Sequence, residues 1–424
     1  LVCCLSSRYS TNTFPTWSLA QPFRVIAHNG EINTLKGNKN WMAAHEPRMQ
    51  HPIFGKDTKD LKPIIDKTAS DSAALDSTIE LLVRSKRNLP MAKILTIPEA
   101  FAHRRDFSKR LKDLYAYANA VMESWDGPAA ICGFHDEWAI AAMDRNGLRP
   151  IRYTLTKDFL IAGSETGMVE LNENDVLKKG RVGPGQMIAV NFKEGKFFSD
   201  IEIKETLSKS KPFGEWTKKI KHIDKLVQSV DEEFREINSS ILRQKMSCFG
   251  WTIEDIEMIL HPMIVDQKEA VGSMGDDTPL AVLSDQYRGL HHFFRQNFSQ
   301  VTNPPIDSLR ERVVMSLRTR IGNLSNILDE DQSQCDHLQL NSPILSINQF
   351  KTMRQYMKED VKIIDTTMDL SKKDHSFTSE LNRINNEAEE AVRSGFVHLI
   401  LTDKSLSKSR APLPMILVTS SVHH

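Results

Sequence analysis

The sequence predicts an α+β fold, and three observations carry that expectation. Short apolar runs are separated by hairpin-length turns, the helical patterns are grouped away from them, and no regular strand–helix alternation appears. Phe23-Arg24-Val25-Ile26-Ala27-His28 reads as a strand closing on Asn29-Gly30, a strong turn signal, and a polar helix follows Asn33 through Trp41 and Met42. Ser70 is placed to cap a helix whose apolar positions are 75, 79, 82 and 83, with Asp71 in its first, electropositive turn. Pro128-Ala-Ala-Ile-Cys-Gly-Phe and Trp138-Ala-Ile-Ala-Ala-Met read as strands around a turn at 135–137. Asp144-Arg-Asn-Gly forms a further turn, and Phe159-Leu-Ile-Ala a further strand.

From residue 196 the character changes. Lys and Glu dominate 202–245, with helical spacing through Ile220, Ile223, Leu226, Val227 and Val230, which reads as a charged surface connector. Residues 246–424 form a second unit with a helix at 252–261, a Gly-rich loop at 272–279, a longer helix around 306–320 and a final strand at 397–402. The expected division is therefore 1–195, 196–245 and 246–424, within the roughly three domains that such a length allows.

Composition narrows the classes of function. The 424 residues carry 55 Lys+Arg against 55 Asp+Glu, which argues against a nucleic-acid binder with its basic footprint. No run approaches the ~18 apolar residues of a membrane span. Cys3, Cys4, Cys132, Cys248 and Cys335 are too few and too scattered for a disulfide scaffold, a zinc site or an iron–sulfur pattern, so a reducing compartment is expected and no metal ligand is assigned. Three Asn-x-Ser sequences, at Asn238, Asn297 and Asn323, read as chance matches without a secretion signal. Leu1 is not a start methionine, and the opening residues read as an interior strand, so the sequence is expected to begin mid-protein.

The densest chemistry lies in Arg8-Tyr-Ser-Thr-Asn-Thr-Phe-Pro, His28-Asn-Gly-Glu-Ile-Asn and Ser70-Asp71-Ser72. A guanidinium suits an α-carboxylate, an aspartate suits an α-ammonium, and Asn29 NH₂ with the Gly30 backbone N–H suits a developing oxyanion. The same residues also fit a plain turn, a surface charge and a helix terminus. The residues alone leave an amino-acid amide site and these structural roles both open.

The blocks Arg8-Tyr-Ser-Thr-Asn-Thr-Phe-Pro-Thr-Trp, His28-Asn-Gly-Glu-Ile-Asn-Thr-Leu-Lys-Gly-Asn, Ser70-Asp-Ser-Ala-Ala-Leu-Asp, Trp125-Asp-Gly-Pro-Ala-Ala and Asp144-Arg-Asn-Gly-Leu-Arg-Pro occur in order. They are followed by Phe213-Gly-Glu-Trp, Gly272-Ser-Met-Gly-Asp-Asp-Thr-Pro, Gln300-Val-Thr-Asn-Pro-Pro-Ile-Asp, Asn341-Ser-Pro-Ile-Leu and Ser421-Val-His-His. Together they closely resemble the large (α) chain of the glutamate synthase family, over essentially the whole sequence. The resemblance implies a type II glutamine amidotransferase domain with the αββα sandwich of N-terminal-nucleophile hydrolases, lacking its N-terminus, then an α/β central domain that channels ammonia. It further implies that Arg8 binds the glutamine α-carboxylate with Thr11 nearby, that Asn29 and Gly30 form the oxyanion hole, and that Asp71 holds the α-ammonium. Asp144 and its neighbours belong to the scaffold.

The family's nucleophile is a cysteine at the mature N-terminus, upstream of the Arg8 motif. Cys3 and Cys4, read as core residues of the opening strand, do not replace it, and Ser6 stands where the family more often has His. The segment alone is therefore expected to be inactive. FMN and an iron–sulfur cluster are implied for the full-length protein only. Gly272-Ser-Met-Gly lacks the endings of a phosphate loop, and Thr302-Asn-Pro-Pro reads as a rigid turn. The implied partners are L-glutamine, 2-oxoglutarate and an electron donor, either a small (β) subunit or ferredoxin, in the cytoplasm or a plastid. A non-catalytic glutamine-binding scaffold and another type II amidotransferase, such as that of purine synthesis, are the alternatives.

Overall fold

The computed structural model describes residues 2–6, 16–102, 104–227, 238–267, 282–283, 290–293, 316–322, 324–371 and 376–424. They fall into two compact units, Leu1–Lys225 with Asn303–Pro343, and Leu226–Thr302 with Ile344–His424.

The first unit is built on β1 (Ile26–Gly30), β2 (Ala129–His135), β3 (Trp138–Met143), β7 (Met187–Asn191) and β8 (Lys196–Phe198), antiparallel in the order β1-β2-β3-β7-β8. A second sheet sets β4 (Ile151–Thr156) between β5 (Leu160–Gly163) and β6 (Val176–Val182). Alternation along the strands of the first sheet decides what lies on each face. Ala129, Ile131, Ile140, Ala142, Met187 and Ala189 join a core shared with helices. Their neighbours Ala130, Cys132, Ala141, Met143 and Ile188 instead meet Ile151, Tyr153 and Val182 of the second sheet. The layers run helix, sheet, sheet, which is the α–β–β part of the expected αββα sandwich.

The helical layer comprises α1 (Leu35–His45), α2 (Asp71–Arg84), α3 (Leu89–Thr96), α4 (Lys109–Val121), α5 (Asp200–Lys209) and the short α6 (Phe213–Trp216). Ser70 Oγ accepts from Ala73 N at 3.2 Å, so the expected N-cap of α2 is formed. Asn88 and Ser108 cap α3 and α4 in the same way, accepting from Met91 N at 2.8 Å and Leu111 N at 3.3 Å.

The stretch from 196, read as a surface connector, is different in its first half. β8 completes the first sheet, Ile203 and Leu207 of α5 bury one turn apart, and Phe213 packs against Tyr117 and Trp216. Lys204 is 1% exposed because Glu99 Oε2 receives its ammonium at 2.5 Å and Asp200 Oδ1 at 2.7 Å. Charge signalled solvent there, and pairing overrode it. The spacing through Ile220 and Leu226 gives a two-residue strand, β9 (Lys221–His222), and a short turn of helix.

β9 pairs parallel with β11 (Leu338–Leu340), which pairs antiparallel with β10 (Thr319–Ile321). The end of the helix expected at 306–320 is thus a strand; the rest of that expectation lies outside the described residues, as do the loop at 272–279 and Thr302-Asn-Pro-Pro. The segment between β10 and β11 buries Ile327, Leu328 and Cys335 in the helical layer. Residues 2–6 form no strand, and Cys3 is exposed with Cys4 half-buried, contrary to the expected interior strand. An apolar run becomes a strand only when a partner takes up its hydrogen bonds.

In the second unit, strand Val361–Asp365 pairs parallel with His398–Thr402, joined by helix Phe377–Arg393. That is one right-sized βαβ crossover, as an α/β domain requires. Ile364, Ile384, Leu413 and Val418 form its core. The helical expectation at 252–261 holds through Ile253–Asp255, a π-turn at Ile256–Leu260 and helix His261–Asp266. The strand at 397–402 is not final: Arg410–Pro412 and helix Met415–His423 follow it.

Lys93 supplies a stability test. It is fully buried in α3, and among the described residues its Nζ hydrogen-bonds only the Gly185 carbonyl, at 3.4 Å. Burial, and then the adjacent Lys204 cation, bring it down from 10.5 to about 8 against Glu99, Asp200 and Asp144. Between about 8 and 10.5 the unfolded chain holds a proton the folded chain has released, so stability rises with pH through that window and the full penalty stands below it. Lys93→Met is expected to stabilise the protein at pH 7 by on the order of 2 kcal/mol, with the difference from wild type shrinking towards pH 10. Urea midpoints across that range check it; a difference independent of pH would contradict the assignment.

Candidate functional site

Site geometry begins with α2, which is stitched to β1 along one face. Asp76 is buried, and its Oδ1 accepts from Val25 N at 3.0 Å and Ile26 N at 2.9 Å, while Oδ2 accepts from Arg24 N at 3.3 Å. Burial raises the Asp76 pKa, and these three backbone donors oppose the rise. One helical turn earlier, Ser72 Oγ lies 2.7 Å from His28 Nδ1 and donates to Asp71 Oδ1 at 3.4 Å. Asp71 Oδ2 accepts from Ile32 N at 2.9 Å, just beyond Gly30. The carboxylate expected to hold an ammonium therefore stands beside the His28-Asn29-Gly30 segment, gripped on both oxygens.

Asn29 is exposed, and among the described residues its side chain makes no hydrogen bond, which leaves its amide available. Gly30 faces the loop 125–128 so closely that a Cβ there would stand 1.8 Å from the Pro128 carbonyl oxygen. Across the same contact, a Cβ on Gly127 would stand 1.9 Å from the Glu31 oxygen. Only glycines allow the two backbones this approach. The bonds that hold it are Glu31 N to Pro128 O at 2.9 Å and Asn33 N to Asp126 O at 2.7 Å. Trp125 N donates to Thr96 O at 2.7 Å, and Asp126 N to Thr34 Oγ1 at 3.0 Å.

The Asp144-Arg145-Asn146-Gly147 turn fixes this loop from behind. Arg145 grips Asp126 with Nε at 3.0 Å and Nη2 at 2.8 Å, a bidentate fork. Asp144 is buried and accepts from Ala129 N at 2.9 Å, Asn146 N at 2.7 Å and Gly147 N at 2.8 Å. With both carboxylate oxygens bonded to backbone N–H groups, it serves as scaffold. Burial lowers the His28 pKa, against the Asp71 carboxylate and the Pro128 backbone, so the ring is neutral at neutral pH; among the described residues its buried Nε2 makes no hydrogen bond of ordinary length.

The structure thus brings Asn29, Gly30 and Asp71 to one segment, while Arg8 and Thr11 lie outside the described residues. Sequence reasoning missed His28, Ser72, Asp76 and Asp126. The signal was present in part: Ser72 and Asp76 are four residues apart, polar, and on the face of α2 that the apolar spacing turns inward. Three of the thiols are held in the neutral form by burial. Burial raises Cys4, with Cys3 adding to it, and pushes Cys132 to about 11 and Cys335 to about 12, the direction opposite to that of a nucleophilic thiolate. Among the described residues no group of three His, Cys, Asp or Glu could hold a metal ion, and no helix is long and apolar enough to cross a membrane.

Comparison with known proteins matches residues 1–216 to the class-II glutamine amidotransferases and residues 244–424 to the glutamate synthase central domain. The large chain of the NADPH glutamate synthase of Azospirillum brasilense is 54% identical over 98% of this chain and 28% of its own length. The NADH glutamate synthase of Schizosaccharomyces pombe is 41% identical over 99% of this chain and 20% of its own. The chloroplastic ferredoxin-dependent enzyme of Oryza sativa subsp. japonica is 40% identical over 98% and 26%. The chain thus spans little more than a quarter of the longest-covered of these relatives. A solved glutamine phosphoribosylpyrophosphate amidotransferase of B. subtilis is 20% identical, covers 43% of this chain and 32% of its own, and has a TM-score of 0.25, too slight a likeness to carry an inference.

Proposed function

The chain belongs to the class-II glutamine amidotransferases, and from that premise we propose that the segment around β1 and the start of α2 binds L-glutamine for hydrolysis of its side-chain amide. The observation that carries the reading is the gripped Asp71 carboxylate beside an Asn29 amide that makes no hydrogen bond among the described residues and a glycine locked against Pro128. Asp71 receives the α-ammonium, and Arg8, with Thr11 nearby, receives the α-carboxylate. Asn29 Nδ2 and Gly30 N–H take the amide oxygen, whose charge grows as the carbonyl becomes tetrahedral. Donors already in place gain most at that moment, because they need no reorganisation.

The nucleophile is a cysteine not assigned to any residue of this sequence. Its attack would give a thioester with release of ammonia, and water would then release glutamate. In the longer protein that the relatives represent, the ammonia passes through the central domain to 2-oxoglutarate, and reduction of the resulting imine completes a glutamate synthase. Electrons come from a small (β) subunit or from ferredoxin. FMN and an iron–sulfur cluster are implied for that reduction; among the described residues no group of three His, Cys, Asp or Glu could ligate a metal. No step here passes through them. The compartment proposed is the cytoplasm or a plastid.

Steady-state glutaminase kinetics of the full-length protein test the site. Asp71→Asn keeps the shape and removes the charge, and is expected to raise the KM for L-glutamine about tenfold with kcat within a few-fold. An unchanged KM would overturn the assignment of Asp71.

A further inference from the structure

We propose that His28 is a positioning residue for substrate binding: through the Ser72 hydroxyl it holds Asp71 in the orientation that receives the glutamine α-ammonium. The proposal rests on the reading of Asp71 above.

Proton counting gives the relay its direction. An ionised carboxylate only accepts, so the Ser72 hydroxyl proton goes to Asp71 Oδ1, at 3.4 Å. Ser72 Oγ then has only lone pairs to offer His28 Nδ1, 2.7 Å away, and the proton between them belongs to the ring. A neutral imidazole has one N–H, which places it on Nδ1 and leaves Nε2 bare. Among the described residues Nε2 makes no hydrogen bond of ordinary length, as that tautomer allows. The opposite tautomer would leave Ser72 Oγ facing a bare Nδ1 and cut the link to Asp71.

The position also argues against a packing role. His28 is 5% exposed, on a strand whose preceding residues Val25, Ile26 and Ala27 are buried and apolar. An aliphatic side chain would fill that place without stranding a polar atom, which costs about 1–3 kcal/mol. The ring is explained by what its Nδ1 does. With Ile32 N holding Oδ2 at 2.9 Å, the relay fixes the second oxygen, so the carboxylate cannot swing from the substrate side. Ordering it before binding removes a cost that would otherwise fall on each binding event.

The test compares L-glutamine with glutaramate, the analogue lacking the α-amino group, in the full-length protein. His28→Leu and Ser72→Ala are expected to raise the KM for glutamine about fivefold while the glutaramate KM and both kcat values stay within about twofold. His28→Asn, whose carboxamide N–H stands near the Nδ1 position, is expected to restore the glutamine KM. Equal losses on both substrates, or His28→Leu performing as well as His28→Asn, would overturn the relay. Should His28→Leu fail to fold, Ser72→Ala removes a single oxygen and decides the matter alone. Asp71→Asn separates the two levels. If it leaves the preference for glutamine over glutaramate intact, the reading of Asp71 falls; if it abolishes that preference while Ser72→Ala does not, only the relay falls.

Discussion

Asn29→Ala in the full-length protein is expected to lower kcat for glutamine hydrolysis by about 10²–10³, with the KM for glutamine changed far less. The side chain is exposed, and among the described residues it makes no hydrogen bond, so its removal disturbs no bond seen in the fold. Its amide is spent on the reaction. The ground-state carbonyl oxygen gains little from it, whereas the oxyanion gains the full strength of a donor already in place. Asn29→Asp is expected to fare no better, because it puts a negative charge where one is forming. Burst kinetics separate the thioester-forming step from its hydrolysis, and both steps should slow, since each passes through an oxyanion. A loss confined to KM would show Asn29 to be a binding contact instead.

The second large effect concerns the return segment between β10 and β11. Arg87 is buried after the end of α2, and its Nη2 donates to Ile327 O at 2.8 Å and Asp329 O at 2.9 Å. Burial lowers its pKa, and the nearby Tyr117 together with the Glu330 and Asp329 carboxylates oppose that shift. Arg320 holds the same segment at Asn119 O, at 2.7 Å, and pairs with Glu123; Arg48 reaches the Leu324 carbonyl. Asn326 adds a bond to Gln50 O at 2.7 Å. Of these clamps Arg87 is the most deeply buried, and Arg87→Leu removes the Ile327 carbonyl's donor and leaves the Asp329 carbonyl with Gln334 Nε2 at 3.1 Å. A loss of about 3 kcal/mol is expected, read as a roughly 100-fold faster amide exchange at 326–335 with smaller changes in the two sheets. Arg87→Lys keeps the charge but not the fork, and should recover less than half. Uniform exchange across the whole unit would contradict a local clamp.

Where signals were local, the sequence was readable. The strand ending at Asn29-Gly30, the Ser70 cap and the hairpin around Asp136 each depend on neighbours within a few residues, and each is present. Where long-range pairing decides, it was not. Lys204 lies in a Lys/Glu-rich stretch, yet is buried because Glu99, distant in sequence, meets it. The segment 319–340 falls in the stretch matched to the central domain, but Arg87 beyond α2 and its own Arg320, donating to Asn119 O of α4, hold it to the first unit. For the site, Asn29, Gly30 and Asp71 were legible as residue types, and Asp71 was placed at its helix start. What could not be read was the grip on Asp71, because Ile32, Ser72 and His28 come together only through the packing of β1 against α2. Gly127 and Arg145 were visible as parts of motifs, but their work against Glu31 and Asp126 is a matter of fold.

In the proposed site, glutamine is held by its ammonium at Asp71 with its amide oxygen at Asn29 and Gly30. The most direct measurement is a crystal structure of the full-length protein, its nucleophile disabled, with L-glutamine bound. The ammonium is expected within about 3 Å of the Asp71 carboxylate, and the amide oxygen within about 3 Å of Asn29 Nδ2 and Gly30 N. Glutamine bound elsewhere, or bound here with its α-ammonium turned away from Asp71, would contradict it.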